Sequence, residues 1–353
     1  MKTALIFGVT GQDGSYLAEE LLQRGYRVYG ARRRVSIFNT QRIDHLIQDD
    51  SSNNRSKITL LYADLLDPSS ILHCILTVKP DEIYNLAGQS HVAVSFETPD
   101  YTSQTMGLGV LRILEAIRIY RETHKNVNPI FYQASTSEMY GNSLDSMQNE
   151  MTRMNPVSPY GAAKLYAHDL TRIYREGFGV FASTGILFNH ESPRRGQTFL
   201  PRKVSLGVAR ISKGYQKSIT LGNLNAERDW GHAKEYVRAM IDITSHHQPD
   251  DFVIATGKVY SVRDLVKCAF SVVGIEIIFT GEGISEKGID SKTGQELVNV
   301  SEKYFRPYEL HSLCGDSSKA KRLLDWEARI GFQEIIEEMV EQDLRSPISP
   351  PRG

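Results

Sequence analysis

Ala4-Leu5-Ile6-Phe7-Gly8-Val9-Thr10-Gly11-Gln12-Asp13-Gly14 is an apolar run that breaks into three glycines, each three positions from the next, and then enters an amphipathic stretch. A short buried strand, a tight turn and a helix fit that order. Gly8 permits the turn, Gly11 lets a pyrophosphate approach the backbone, and Gly14 allows the helix to lie close to the strand. The helix N-terminus adds N–H donors and positive potential. Three spaced glycines alone mark any turn; between a strand and a helix they predict a dinucleotide site.

Outward from this turn the rhythm continues. Strand candidates fall at 4–9, 27–31, 59–62, 82–87, 130–135 and 184–188, short runs rich in Ile, Leu, Val and Tyr. Helices are predicted over 15–24, which stops at Gly25, and over 107–123, where Leu108, Leu111, Leu114 and Ile117 recur near helical spacing. Beyond about residue 190 the pattern loosens. Strand-like 219–221, 252–255 and 275–279 mix with helices at 262–273, capped by Ser261, and 332–341. The expected fold is α/β, a Rossmann-type doubly wound parallel sheet with a smaller C-terminal α/β domain. Residues 1–190 are expected to bind the dinucleotide, with some later segments returning to them. Residues 191–345 are expected mainly to bind substrate, and 346–353, with three prolines, to be a disordered tail.

The second strand ends in Ala31-Arg32-Arg33-Arg34 with no carboxylate nearby. An NAD site normally has an acidic residue here for the ribose 2′-hydroxyl, whereas guanidinium groups bind a 2′-phosphate. NADP is therefore the expected cofactor, and Asp64, just past the third strand, a candidate for the adenine amino group.

Tyr160 and Lys164 form a Tyr-x-x-x-Lys pair on a predicted helix, so both side chains share one face. A nearby ammonium favours the phenolate and makes the tyrosine a better general base. With 17 tyrosines in the chain, about one such pair arises by chance. The neighbours give it weight. Thr136 and Glu138 follow the apolar run 130–132, at the carboxyl end of a strand, where open α/β sheets bind ligands. Thr136 can share a hydrogen bond with the hydroxyl that Tyr160 deprotonates, and Glu138 can take a second proton from carbon. A helix cap or an exposed charge would account for either alone.

The 353 residues carry a net charge of −1, which argues against a nucleic-acid partner. Cys74, Cys268 and Cys314 show no metal-type spacing, and His190 and His232 lie in no HExxH or carboxylate cluster, so no metal is expected. The N-terminal run lacks a secretory pattern and no apolar run is bilayer-length, which predicts a cytoplasmic protein without a membrane partner.

With these residues in place, the chain resembles the extended short-chain dehydrogenase/reductases and, within them, the GDP-mannose 4,6-dehydratases. The likeness runs to about residue 340. It is carried by GVTGQDGSYLAE (8–19), the run 33–40 ending in FNT, NLAGQSHVAVSFE (85–97), YQASTSEMYG (132–141), SPYGAAKLYA (158–167), LFNHESPRRG (187–196), RDWGHAKEYV (228–237), DFVIATG (251–257) and YFRP (304–307). The resemblance implies a closed redox cycle on a GDP-sugar: oxidation at C4, loss of water across C5 and C6, and reduction at C6. This is the first step of GDP-deoxysugar synthesis. It implies that Tyr160, Thr136, Lys164 and Glu138 are catalytic. It implies cofactor contacts from Gly8, Thr10, Gly11, Gln12, Asp13, Gly14, Arg33, Arg34, Ser36, Asp64, Leu65, Leu86, Gly88, Gln89, Ser90, Tyr101, Lys164, His190 and Arg195. Substrate contacts would come from Ser90, Glu138, Tyr160, Asn189, Lys203, Gly222, Arg228, Arg306 and Glu309. A homo-oligomer, tetramer or dimer, is implied too. Val157 and the 142–155 loop depart from the family pattern, which opens GDP-manno-heptose as an alternative substrate. A nucleotide-sugar epimerase or reductase would not need Glu138. A non-catalytic NADP sensor would not need Tyr160 or Lys164.

Overall fold

A computed structural model describes residues 1–36, 38–47, 57–305 and 308–347. In chain order the strands are β1 (Thr3–Phe7), β2 (Arg27–Arg32), β3 (Ile58–Tyr62), β4 (Glu82–Asn85), β5 (Ile130–Thr136), β6 (Ala182–Leu187), β7 (Asn189–Glu191) and β8 (Ile219–Leu221). They continue as β9 (Glu227–His232), β10 (Asp251–Ile254), β11 (Val259–Ser261), β12 (Ile277–Thr280), β13 (Lys287–Asp290), β14 (Glu296–Val300) and β15 (Ser312–Leu313). The helices are α1 (Gln12–Gln23), α2 (Pro68–Val78), α3 (Val92–Glu97), α4 (Pro99–Ser103), α5 (Gly109–Thr123) and α6 (Pro159–Phe178). After them come α7 (Leu200–Ser212), α8 (Ala233–Ser245), α9 (Val262–Ser271), α10 (Ser318–Leu324) and α11 (Phe332–Arg345). The chain divides into two compact units. The first takes Met1–Phe188, Ala233–Ile254 and Gly315–Glu327; the second takes Asn189–His232, Ala255–Cys314 and the chain from Ala328 on.

The first unit holds a parallel seven-stranded sheet in the order β10-β6-β5-β4-β1-β2-β3. The inner strands β1, β4, β5 and β6 are almost wholly buried because helices cover both faces. On one face Leu5, Phe7, Ile83 and Phe131 pack with Ile71 and Ile75 of α2, Ile113 and Ile117 of α5, and Tyr174 of α6. On the other lie α1 and α8. Strand order reverses between β1 and β4, so the loops after these two strands part and leave a crevice at their carboxyl ends.

Several boundaries differ from expectation for local reasons. Helix α1 begins at Gln12 because Gly11 stays extended as its N-cap, and it closes at Gly25, whose φ of +79° suits glycine. The helix expected from 107 is preceded by α4 and a π-helical turn, Gln104–Leu108. Arg112 stabilises that turn by donating to Gln104 O (3.1 Å) and Gln104 Oε1 (3.0 Å). Helix α11 runs four residues beyond the expected 341, and Ser346 ends it with its N–H on Gln342 O (3.1 Å), so the tail does not loosen at 346. The remainder of the expected tail, 348–353, lies outside the described residues.

The second unit pairs β11-β9-β15, with β7 on β9, and β12-β13-β14-β8. Helices α7, α9 and α11 pack on them through Val204, Val208, Leu265, Phe270, Ile335 and Met339. Asp343 of α11, buried, pairs with Arg202 of α7 and accepts from Ser205 Oγ (2.7 Å). Among the described residues no helix is long and apolar enough to cross a membrane.

Candidate active site

The glycine turn sits at the switch point of the sheet. Gly8 N donates to Ala31 O (3.1 Å) and Gly11 N to Gly8 O (3.0 Å), which draws the turn tight. A Cβ on Gly14 would stand 2.3 Å from Gly8 O, and one on Gly8, at φ +86°, would stand 2.8 Å from Ala87 N. Only glycine lets α1 start this close to β1 and lets the loops after β1 and β4 approach. Among the described residues no side chain caps the N-terminus of α1. Those features fit a dinucleotide pyrophosphate. Thr10 O accepts from Arg42 Nη1 (3.3 Å), and Gln12 Nε2 donates to Asp13 Oδ1 (3.0 Å).

The other cofactor candidates of this unit lie at neighbouring strand ends. Arg33 Nη1 donates to Tyr101 OH (2.8 Å), which brings two expected residues together, while Arg34 stacks on Tyr62. Ser36 is exposed beside them. Asp64 accepts from Leu66 N (2.9 Å) through Oδ1, so it also shapes the turn after β3; Leu65 is buried there and its O accepts from Arg112 Nη1 (2.8 Å). After β4, Leu86 N donates to Phe7 O (3.0 Å) and Gln89 pins His91 through both ends of its amide. Gly88 leaves room for Met106, since a Cβ would stand 2.0 Å from its Sδ, and Ser90 is exposed.

The four expected catalytic residues come together at β5 and α6. Thr136 ends β5 and caps the next turn, accepting from Glu138 N (3.3 Å). Helix α6 starts at Pro159, capped by Ser158, whose Oγ accepts from Gly161 N (3.0 Å). A Cβ on Gly161 would stand 2.8 Å from Glu138 O, so this glycine lets the helix carrying Tyr160 lie directly on the Thr136–Glu138 turn. Thr136, Glu138, Tyr160 and Lys164 are all buried. Lys164 Nζ donates to Ala134 O (2.7 Å) and sits 5.9 Å from the centre of the Tyr160 ring. Burial lowers the Lys164 ammonium to about 8, against the opposing pull of the Asp13 charge. The same face of α6 carries His168, whose Nδ1 meets Ser135 Oγ (3.2 Å) and Thr184 Oγ1 (3.3 Å). Arg175 forks onto Asp251 (3.0 and 2.8 Å). Gly161, Ser158, His168 and the Asn85–Gln133 amide pair (2.8 Å) were not singled out from sequence. Only the Ser-Pro cap before Tyr160 carried a legible signal.

The divergent 142–155 loop is tied down. Glu150 Oε1 accepts from Val253 N (2.8 Å) on edge strand β10, Asp316 N donates to Gln148 O (2.8 Å), and Tyr140 OH donates to Asn149 O (2.8 Å). Val157 Cγ1 would lie 3.4 Å from a Cβ on Gly141.

The remaining expected residues belong to the second unit. Asn189 and His190 lie on β7, and Arg195 pairs with Glu191 (3.2 Å) while stacking on Phe199. Lys203 Nζ donates to Thr220 O (2.6 Å) and sits 3.6 Å from the centre of the Tyr304 ring, its pKa lowered by burial and by Lys303. Gly222 takes Tyr304 O at 2.5 Å from where its Cβ would be. Arg228, buried, donates to Leu310 O (3.0 Å) and pairs with Glu309 (3.4 Å). Arg306 lies outside the described residues.

A doubly wound parallel sheet, a glycine turn at its switch point and a buried Tyr-x-x-x-Lys pair on the helix leading to β6 define the class: an extended short-chain dehydrogenase/reductase. The family model described as GDP-mannose 4,6 dehydratase matches residues 5–339, and the chain belongs to that family. It is 51% identical to the GDP-mannose 4,6-dehydratase of Sinorhizobium fredii (strain HH103), over 97% of each chain. It is 50% identical to that of Vibrio cholerae, over 98% of this chain and 94% of that one. The human enzyme is 49% identical over 97% of this chain and 91% of its own. In fold, the chain is similar to DesIV, a dTDP-glucose 4,6-dehydratase from Streptomyces venezuelae with NAD and TYD bound (TM-score 0.78, 18% identity, 96% of each chain). It is similar also to a UDP-glucose 4-epimerase from Thermus thermophilus in complex with NAD (TM-score 0.75, 22% identity, 97% of this chain and 98% of that one).

Proposed function

We propose that this protein is an NADP-dependent hydro-lyase that removes water from GDP-mannose and gives GDP-4-dehydro-6-deoxymannose. The observation that carries the reading is the seating of α6, which bears Tyr160 and Lys164, against the buried Thr136–Glu138 turn at the carboxyl end of β5. Relatives about half identical over nearly the whole chain support the same substrate.

In this reading Tyr160 takes the proton of the C4 hydroxyl. Lys164 supports the phenolate by its charge, and Thr136 shares the hydroxyl's hydrogen bond. The resulting ketone acidifies the C5 proton, which Glu138 removes and passes to the departing C6 hydroxyl so that it leaves as water. A proton restored to C5 as C6 is reduced balances the one that Tyr160 took at the start. NADP⁺, held at the glycine turn and the end of β2, would supply the hydride chemistry that links oxidation at C4 to reduction at C6. The net change is the loss of one water. The carboxylate is the residue that a plain epimerase or reductase does not need.

The choice of NADP rests on Arg32–Arg34 and the lack of an acid at the end of β2. Cofactor contacts are proposed from Gly8 through Gly14, Arg33, Arg34, Ser36, Asp64, Leu65, Leu86 through Ser90, Tyr101, Lys164, His190 and Arg195. Sugar-nucleotide recognition is proposed for Asn189, Lys203, Gly222, Arg228, Arg306 and Glu309, whose cations suit a diphosphate. A cytoplasmic homo-oligomer, tetramer or dimer, belongs to the same proposal.

The test is incubation of purified protein, without added nicotinamide, with GDP-mannose and separately with GDP-manno-heptose, followed by mass spectrometry. The expected outcome is loss of one water from GDP-mannose, and none with Glu138→Gln, which should still bind NADP⁺. Loss from the heptose alone would keep the chemistry and change the substrate. No loss from either, with NADP⁺ added, would sink the dehydratase reading.

A further inference from the structure

Helix α6 lies on the sheet through apolar side chains such as Ala167 and Tyr174, which pack with Phe131 and Ala182. Contacts of that kind are non-directional and let a helix slide or roll slightly. Directional bonds are needed to fix where Tyr160 and Lys164 stand along the strand. The helix makes two of them, one turn apart, to two successive residues just before Thr136. Lys164 Nζ donates to Ala134 O (2.7 Å), and His168 Nδ1 meets Ser135 Oγ (3.2 Å). Tyr160, Lys164 and His168 follow at four-residue spacing and so share one face of the helix.

The sense of the second bond is determined by its neighbours. Thr184 Oγ1 gives its single proton to Asp251 Oδ1 (2.8 Å), so towards His168 Nδ1 (3.3 Å) it can only accept. The imidazole proton is therefore on Nδ1, donating between Ser135 Oγ on β5 and Thr184 Oγ1 on β6. Nε2 faces Asp251 Oδ2 at 4.0 Å, too far for a hydrogen bond, and Asp251 is already held by the Arg175 fork (3.0 and 2.8 Å). Burial lowers the imidazole's pKa, against the opposing pull of the Asp251 charge, and so keeps the ring neutral near pH 7 with one donor. His168, Ser135 and Thr184 are all buried, so bulk water does not compete for that donor.

We infer that His168 is a positioning residue for the reaction: its Nδ1–H pins α6 to β5 and β6 and so sets Tyr160 and Lys164 against Thr136 and Glu138. Ser135 passes the hold on, being joined to Thr136 by one peptide bond. This rests on the dehydratase reading proposed above.

The test is steady-state kinetics of water loss from GDP-mannose by full-length variants, with NADP⁺ titration and thermal unfolding of each. His168→Leu, which has no donor, should lower kcat by roughly ten- to hundredfold, as a shift of up to about 1 Å does, and leave KM and NADP⁺ affinity within about threefold. His168→Asn puts an amide N–H where Nδ1–H stands and should recover kcat to within about threefold of wild type. Ser135→Ala removes an acceptor and should also lower kcat. Adding it to His168→Leu should cost little more, since the two groups act through one bond.

Wild-type kcat in His168→Leu would overturn the inference and leave the dehydratase reading standing. Equal losses in His168→Leu and His168→Asn, or fully additive losses with Ser135→Ala, would show that the Nδ1 donor does not set the geometry and overturn it too. If His168→Leu does not fold, Ser135→Ala decides, and wild-type kcat there overturns the inference. A wild type that removes no water from GDP-mannose overturns both readings.

Discussion

Lys164 shows how a residue's burial sets its chemistry. Its ammonium is enclosed between α6 and β5 with one carbonyl acceptor, and desolvation brings its pKa down to about 8. Because the folded pKa lies below the unfolded value of 10.5, the folded state holds fewer protons than the unfolded one between about 8 and 10.5. Stability linked to this group therefore rises with pH across that window, and the cost of the buried charge is full below about 8. That cost is about 3 kcal/mol at 1.36 kcal/mol per pKa unit, partly offset by the hydrogen bond to Ala134 O. Lys164→Met should thus be inactive yet relatively more stable near pH 7, with its advantage over wild type shrinking towards pH 10. Thermal unfolding of the two proteins across that range measures it, and a constant difference would contradict the assigned burial cost. The lysine was legible in sequence because its partner Tyr160 stands one helical turn away. His168, Asn85 and Gln133 were not, because their roles depend on partners that other strands supply: Ser135 and Thr184 for the imidazole, and each amide for the other.

At the level of elements, the proposed active geometry is the meeting of the first turn of α6 with the turn after β5. Gly161 makes the meeting possible, since a Cβ there would press on Glu138 O at 2.8 Å and on Pro156 Cβ at 3.0 Å. The first of these is backbone and cannot turn aside. Gly161→Ala is expected to push the start of α6 outward and to separate Tyr160 from Thr136 and Glu138. The steric cost of a poorly accommodated methyl is about 1–3 kcal/mol, which a stable domain tolerates, whereas a shift near 1 Å costs about a hundredfold in rate. Steady-state kinetics should show kcat falling far more than Tm; a large Tm loss with kcat unchanged would refute this role. Apolar content found β1 to β6 because most of their residues face the core under the covering helices; the buried polar residues they also hold, such as Asn85 and Gln133, were too few to mask the pattern. It missed β9, whose Glu-Arg-Asp-Trp-Gly-His reads as a polar loop. Arg228 to His232 are buried nonetheless, because their polar side chains find hydrogen-bond or ion-pair partners. Asp229 accepts from Thr256 N, Thr256 Oγ1 and Gly257 N at 2.7–2.9 Å, and His232 meets Glu338 at 2.7 Å. Hydropathy cannot see partners that distant segments supply.

Over the whole molecule, the chain does not complete its first unit before starting its second. It leaves the seven-stranded sheet at Phe188, returns with Ala233–Ile254 and returns again with Gly315–Glu327. The sequence suggested that later segments would return, but not which ones, because a strand's place in a sheet depends on pairing rather than local pattern. Those returning pieces matter energetically. Helix α8 buries Tyr236, Val237, Met240, Ile241 and Ile243, and β10 adds Phe252, Val253 and Ile254 on the open edge of β6. Trp326 closes over α8, its Nε1 donating to Glu235 O (3.0 Å) and its ring edge-on to Tyr236. At about 1.5–3 kcal/mol for each buried side chain, the five apolar residues of α8 alone contribute roughly 8–15 kcal/mol, comparable to the whole stability of a typical domain. A fragment ending at residue 190 keeps the glycine turn and all four side chains proposed as catalytic yet loses this cover. It should therefore fail to fold, showing no cooperative thermal transition and no NADP⁺ binding, while the full chain shows both. Calorimetry on the fragment and the full chain decides it, and a cooperatively folded, nucleotide-binding fragment would mean that the edge strand and α8 are dispensable to the sheet they cover.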